Sequence, residues 1–413
     1  MLALALVLTL VSTVQAVHRA RAGRSALVKW RPDVERLWDG GALYGADRGD
    51  GREGFPTPPL VAVALTPFLA LGDVPGAIVW ALFKLALAWW SVLAVLGLCA
   101  GRARDFPPWA AGLVLLLVWR VMHSDVTHGN VNLAVLALLV AAARPWHAGN
   151  ELRSGLWIGL AGAVKVTPLL FGLYFARKRA WAALGGVALG LALGLLVVPG
   201  LVLGVGRNLE LLGDWWRQMA QPYLSGAPVG VMQSEHINQS LLGVLARLLS
   251  PTVAIPAHPP RYPSDVFVNV LALSPEALRL AHRAACALVL ASMLVWTRAP
   301  RHEREGPRVV GEWALVTLAM LLLSERSWKQ HYVVLLFPLA YLAWNAWSER
   351  DTRRAAWAGL AAALAVALSG SGVLGARGSD LAESYGLFLW GAVALFVCCG
   401  RLLGRRPELT APA

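Results

Sequence analysis

Apolar runs long enough to cross a bilayer recur along this chain, and no other feature limits its fold so tightly. A hydrocarbon core about 30 Å thick needs roughly 17–25 residues of helix per crossing. Of the 413 residues, 57% are hydrophobic and 15% charged, and the mean hydropathy is +0.57; soluble domains carry about 25% charged residues. The sequence is therefore that of an all-α polytopic membrane protein. A net charge of +13 would suit a nucleic-acid partner. Here, however, the arginines sit in short connectors between apolar runs, as in loops that face the cytoplasm and anionic lipid. Membrane lipids, not nucleic acid, are the expected partners. Cys99, Cys286, Cys398 and Cys399 fall in or beside apolar runs without metal-ligand spacing. They read as small apolar fillers, with no disulfide framework.

Taken in order, the runs predict about twelve spans. They are Met1–Val17, Pro58–Leu71, Pro75–Ala100, Pro107–Met122, Val131–Ala143, Gly155–Ala176, Trp181–Val205, Leu278–Trp296, Glu312–Leu323, Tyr332–Trp347, Ala355–Leu374 and Ser384–Leu403. The first has two readings. Val14-Gln15-Ala16 resembles a signal-peptide cleavage site, but no basic residue precedes the run, so a retained helix is expected. Either reading puts the next stretch outside the cytoplasm. Basic clusters at Arg177–Arg179, Arg298–Arg308, Arg350–Arg354 and Arg401–Arg406 support an inside amino terminus. The basic first loop and the pairs Arg102/Arg104 and Arg144/Arg153 run against it. The whole of 1–413 reads as one integral membrane domain. Its extracytoplasmic loops are expected at 18–57 and 206–275, the longer one following the seventh span.

The polar residues that interrupt this pattern are the candidates for chemistry. Asp33 and Glu35 follow the first span in Arg31-Pro32-Asp33-Val34-Glu35. A carboxylate at the membrane face serves as a general base if it reaches an incoming hydroxyl; the plainer reading is a solvated loop charge paired with Arg31 or Arg36. Lys84 and Lys165 lie inside apolar runs, where an ammonium is costly and marks a functional site by default. Lys84 has a simple alternative in snorkelling, whereas Pro168 beside Lys165 opens a polar niche. The stretch from His123 to Asn132 reads as a polar turn between two helices, with His128 and Asn130 as candidate hydrogen-bonding groups. The connector from Ser324 to Tyr332 holds Arg326, Lys329 and His331, a cation set that suits a phosphate as well as headgroup anchoring. Asn238 and Gln239 suit sugar hydroxyls or a helix start.

In order, these segments resemble the polyprenol-phosphate-mannose-dependent mannosyltransferases of glycosyltransferase family 87, in the GT-C superfamily. The resemblance covers about Pro32 to Trp347. It rests on Asp33 with Gly41-Ala42-Leu43-Tyr44, Phe55-Pro56-Thr57-Pro58-Pro59-Leu60, Gly129-Asn130-Val131-Asn132, Lys165-Val166-Thr167-Pro168-Leu169, Asn238-Gln239-Ser240-Leu241, and the connector from Ser327 to His331. Thr57 and Asn130 depart from the family, which often has Tyr and Gln there. The resemblance implies a GT-C-like bundle, Asp33 as catalytic base, and His331 with Arg326 or Lys329 at the donor phosphate. It also implies transfer of a hexose, mannose by the family's habit, from a polyprenyl-phosphate donor to a lipid or glycan acceptor on the extracytoplasmic side of the inner membrane.

The residue set fits that chemistry. A polyprenyl phosphate leaves readily, so its charge must be neutralised rather than its oxygen protonated. One base then suffices for inversion, without the acid and nucleophile pair of a retaining glycosidase. No carboxylate cluster completes a cation site around Glu35, so no metal and no cofactor are expected. The rival class is a transporter or flippase, which would gather its ionisable groups at the bilayer midplane. Most polar candidates here sit at span ends instead.

Overall fold

The computed structural model describes residues 2–45, 55–221, 234–304, 306–349 and 353–404. Residues 46–54 of the first expected loop and 222–233 of the second lie outside these. Helices account for nearly all of the regular structure. Among the described residues the β-pairing consists of two isolated bridges, Ile255 with Val266 and His258 with Tyr262.

The first half contains α1 (Leu2–Arg21), α2 (Ala26–Trp38), α3 (Pro59–Leu69), α4 (Asp73–Ala100), α5 (Pro108–His128), α6 (Asn132–His147), α7 (Glu151–Val164), α8 (Leu170–Arg177), α9 (Trp181–Leu203) and α10 (Val205–Trp215). The second contains α11 (Leu241–Leu249), α12 (Pro275–Trp296), α13 (Pro307–Leu323), α14 (Leu336–Ser348), α15 (Arg353–Leu368), α16 (Ser371–Ser384) and α17 (Leu387–Gly404). Among the described residues, α4, α5, α9, α12 and α17 are long and apolar enough to cross a membrane. Helices α15 and α16 add a sixth crossing if they count as one, although the chain bends by 91° between them. Apart from α1, which has 20 residues, the remaining apolar runs form shorter helices. The 11 residues of α3 reach about 16 Å, half a hydrocarbon core. The protein is a multi-pass helical membrane protein.

Four local expectations change. The stretch 18–57 is not simply a loop, because α1 continues to Arg21 and α2 occupies Ala26–Trp38. The stretch 206–275 likewise contains α10 and α11. The polar turn expected from His123 is helical as far as His128, leaving only Gly129–Val131 as the turn. The run Ala355–Leu374 is broken after Leu368, where Arg120 takes over the helix-end carbonyls. Its guanidinium donates to Val366 O and, at 2.8 Å, to Ser369 Oγ.

The chain divides into two compact units. One comprises Met1–Ser91, Val121–Ala176 and Ala180–Val231; the other comprises Val92–Arg120, Arg177–Arg179 and Met232–Ala413. In the first, α7 and α9 pack backbone to backbone. A Cβ on Gly155 would stand 1.8 Å from Ala183 O, and one on Gly186 would stand 2.2 Å from Leu152 O. Only glycine permits that approach, the close packing that small residues give helices in membranes. In the second unit α13 is buried on every face from Val309 to Leu322 and packs against α12, α14 and α17. Helix α12, by contrast, is mostly open to its surroundings, as a lipid-facing helix would be.

Candidate active site

Helix α2 places Asp33 in the first unit. Leu27, Trp30, Val34 and Leu37 recur at three- and four-residue intervals, which gathers them on one buried face. Asp33 lies three residues after Trp30 and four before Leu37, so the same face carries its carboxylate inward, to 1% exposure. Buried carboxylates need a partner, and Arg36, one turn on, supplies it at Oδ1. Asp33 is therefore an enclosed charge on a helix, not a solvated one on a loop. Glu35 points the other way. Its side chain is 58% exposed and pairs with Arg31 at 3.2 Å, as expected of positions i and i+2 on a helix. Arg31 also binds Asp73 at 2.6 Å and Leu69 O at 2.9 Å, which ties α2 to the turn before α4.

The chain after α2 folds back over it. Arg207 of α10 donates to Gly41 O, Tyr44 Oη donates to Thr57 O at 2.8 Å, and Trp215 Nε1 donates to Pro56 O at 3.3 Å. Burial, then the Asp214 charge, pushes the Tyr44 hydroxyl above its usual range, in keeping with its role as donor to Thr57 O.

A second polar group in this unit centres on Lys165. Helix α7 stops at Val164, and Lys165 is extended (φ −153°, ψ 133°) before the chain turns helical again at Thr167-Pro168. Its ammonium donates to Asn132 Oδ1 at 2.9 Å. Asn132 Nδ2 in turn donates to Asp125 Oδ1 at 3.0 Å. Lys84 does not snorkel. It is fully buried and donates to Asp125 O at 2.5 Å, Asn130 O at 3.0 Å and Asp125 Oδ2 at 3.3 Å.

His128 ends α5, and its Nδ1–H donates back to Ser124 O at 2.7 Å. Gly129 has φ +74°, and a Cβ there would stand 2.4 Å from Ser25 Oγ, so this turn lies against the start of α2. One hydrophobic cluster unites Trp30 and Val34 of α2, Tyr44, Phe55 and Val131, with Val164 packed against it. The fold thus groups α2, the Gly129–Val131 turn and the end of α7. The Gly129–Asn132 run was legible as a hydrogen-bonding site, but its pairing with Asp125 was not. The available signal was a carboxylate within an apolar helix, which needs a cation.

The second unit holds the remaining candidates. Ser240 caps α11, accepting from Gly243 N at 3.0 Å. Asn238 Oδ1 accepts from Ser240 N and Ser327 N, each at 3.1 Å, and Gln239 Nε2 donates to Glu383 O at 2.7 Å. Both amides are buried and occupied in joining the loop to the connector and to α16, in keeping with the helix-start reading. Lys329 binds the buried Glu383 carboxylate at 2.5 Å. His331 Nδ1 accepts from Trp328 N at 3.0 Å, closing the first turn of a short helix, and the two rings stack. Arg326 is half-buried beside Glu325. Arg247, which sequence reasoning missed, is fully buried. It donates to the carbonyls of Ser234, Glu235, Asn238, Glu383 and Ser384. Burial pulls its pKa down to about 10, so it still carries its charge at neutral pH.

Residues 55–325 match the model of glycosyltransferase family 87. Lys165, Asn130, Asn238 and Gln239 fall inside that stretch; Asp33, Arg326, Lys329 and His331 fall outside it. A polyprenol-phosphate-mannose-dependent alpha-(1-2)-phosphatidylinositol pentamannoside mannosyltransferase of Mycolicibacterium smegmatis is 30% identical over 340 residues, covering 78% of this chain and 70% of the relative. Its namesake in Mycobacterium tuberculosis is 27% identical over 303 residues, covering 72% of this chain and 61% of the relative.

Proposed function

Because the chain belongs to glycosyltransferase family 87, we propose that it is a membrane mannosyltransferase using a polyprenyl-phosphate mannose donor. The acceptor is a lipid or lipid-linked glycan on the extracytoplasmic face of the inner membrane. The bundle is of GT-C type, and its other apolar helices complete the roughly twelve crossings that the apolar runs suggest.

Asp33 takes the proton of the acceptor hydroxyl as that oxygen attacks the anomeric carbon. The bond from that carbon to the phosphate oxygen breaks, and its electron pair leaves on the polyprenyl phosphate. Direct displacement inverts the anomeric centre. Lys165 neutralises the phosphate charge, the step that matters most for such a leaving group. Arg36 grips one oxygen of Asp33 and so holds the base in one orientation. The observation that carries this reading is the burial of the Asp33 carboxylate on a helix that shares its hydrophobic cluster with the end of α7, next to Lys165.

The test uses purified full-length chain in lipid nanodiscs, with radiolabelled polyprenyl-phosphate mannose and a phosphatidylinositol mannoside acceptor. Labelled product whose anomeric configuration is opposite to the donor's supports the reading. Product of retained configuration, or no transfer, contradicts it.

A further inference from the structure

The polar chain in the first unit has a direction and a charge surplus. Asp125 is fully buried and, as a carboxylate, only accepts hydrogen bonds. Its Oδ2 receives Lys84 Nζ and Leu133 N, both at 3.3 Å, and its Oδ1 receives Asn132 Nδ2 at 3.0 Å. That last bond decides which way the Asn132 amide faces. With Nδ2 given to Asp125, Oδ1 is turned to Lys165 and accepts from its ammonium at 2.9 Å. An amide facing the other way would set N–H against N–H. Lys84, locked by Asp125 and by the carbonyl of Asn130, holds the start of the relay.

The charges do not cancel. Along this hydrogen-bonded chain of described residues two lysines share one aspartate, so a formal positive charge is left over at the Lys165 end. Lys165 is the partly exposed member of the chain. Its hydrogen bond to Asn132 is the one its ammonium makes among the described residues. An ammonium has three N–H donors, which leaves two for a ligand. A surplus cation at membrane depth calls for an anion.

We propose that Asp125 and Asn132 are positioning residues that aim the Lys165 ammonium at the phosphodiester of the lipid-linked sugar donor, with Lys84 as the fixed counter-ion of Asp125. This rests on the donor reading given above. The same phosphate chemistry occurs in lipid headgroups, so the test must separate the two sources.

Full-length chain in nanodiscs is titrated with polyprenyl phosphate and, separately, with phosphatidylinositol, using the wild type, Asn132→Leu, Lys165→Met and the double variant. Donor and acceptor KM are measured on the same preparations. Asn132→Leu and Lys165→Met should each weaken polyprenyl phosphate binding about tenfold, the size of one charge-assisted hydrogen bond. Donor KM should rise in step while acceptor KM stays put. The double variant should bind no more weakly than Lys165→Met alone, because Asn132 acts through Lys165; Lys165→Arg should restore part of the loss. Asn132→Ala takes the same place in the cycle if the leucine variant does not fold. The proposal is overturned if the folded Asn132 variant binds polyprenyl phosphate normally, if the two losses multiply, or if only phosphatidylinositol binding falls. Coupled losses in a chain that transfers no mannose would support the relay while removing the proposed reaction.

Discussion

Asp33 and Arg36 form an ion pair one turn apart on α2, with the carboxylate enclosed and the guanidinium at its rim. Glu35, two residues from Asp33, sits on the open side of the same helix with Arg31. The two carboxylates of this segment therefore differ in what they stand to lose. Arg36→Gln should cost about 1–3 kcal/mol, the penalty for stripping a partner from a buried acceptor. Glu35→Gln should cost under about 1 kcal/mol, as exposed pairs do. Thermal unfolding of both variants in one detergent makes the comparison, and equal losses would place Asp33 in a solvated environment.

Lys84 and Asp125 are both fully buried. Removing Lys84 takes away the direct ammonium partner of a buried carboxylate, which costs about 3–5 kcal/mol. Lys84→Met should therefore be more destabilising than Lys84→Met with Asp125→Asn, although the double variant carries more changes. Unfolding midpoints that rank the other way would contradict the pairing.

Adjacent glycines on α9 give a sharper test of packing. A Cβ on Gly186 would meet Leu152 O at 2.2 Å, whereas Gly185 has open space around it. Gly186→Ala should lose about 1–3 kcal/mol or more through overpacking. Gly185→Ala should be neutral or gain up to about 1 kcal/mol from helix propensity. Thermal melts of the pair check this directly.

The segments that were legible in the sequence are those whose apolar character is local. The runs predicted at Pro75–Ala100, Leu278–Trp296 and Ser384–Leu403 match α4, α12 and α17 within a few residues. Helix α2 was hidden because Arg31, Pro32, Asp33, Glu35 and Arg36 look like loop chemistry. Only the 27, 30, 34, 37 spacing betrays its buried face, and Pro32 interrupts that pattern. Lys84 was visible as an intramembrane cation, but its partner lies 41 residues away and no local pattern announces it. The break after Leu368 depends on Arg120, 246 residues from the carbonyl it binds. Pairings of that range are tertiary facts.

His331 separates two roles that the sequence left open. Its Nδ1 closes the first turn of the helix that begins at Lys329, so His331→Ala should cost about 0.5–2 kcal/mol, as the loss of a cap does. A role at the donor phosphate would also raise donor KM in the folded variant. The geometry predicts the stability loss, and kinetics on the same preparation reads the second role.

In the proposed reaction Asp33 takes the proton of the acceptor hydroxyl. Asp33→Asn keeps the shape and removes the proton-accepting charge, so initial rates of mannosyl transfer with saturating donor and acceptor test it most directly. A fall of about 10²–10⁴-fold is expected, the usual worth of a general base, with polyprenyl phosphate binding retained. Turnover near the wild-type rate in a folded Asp33→Asn variant would contradict it and leave Asp33 as the buried half of an ion pair.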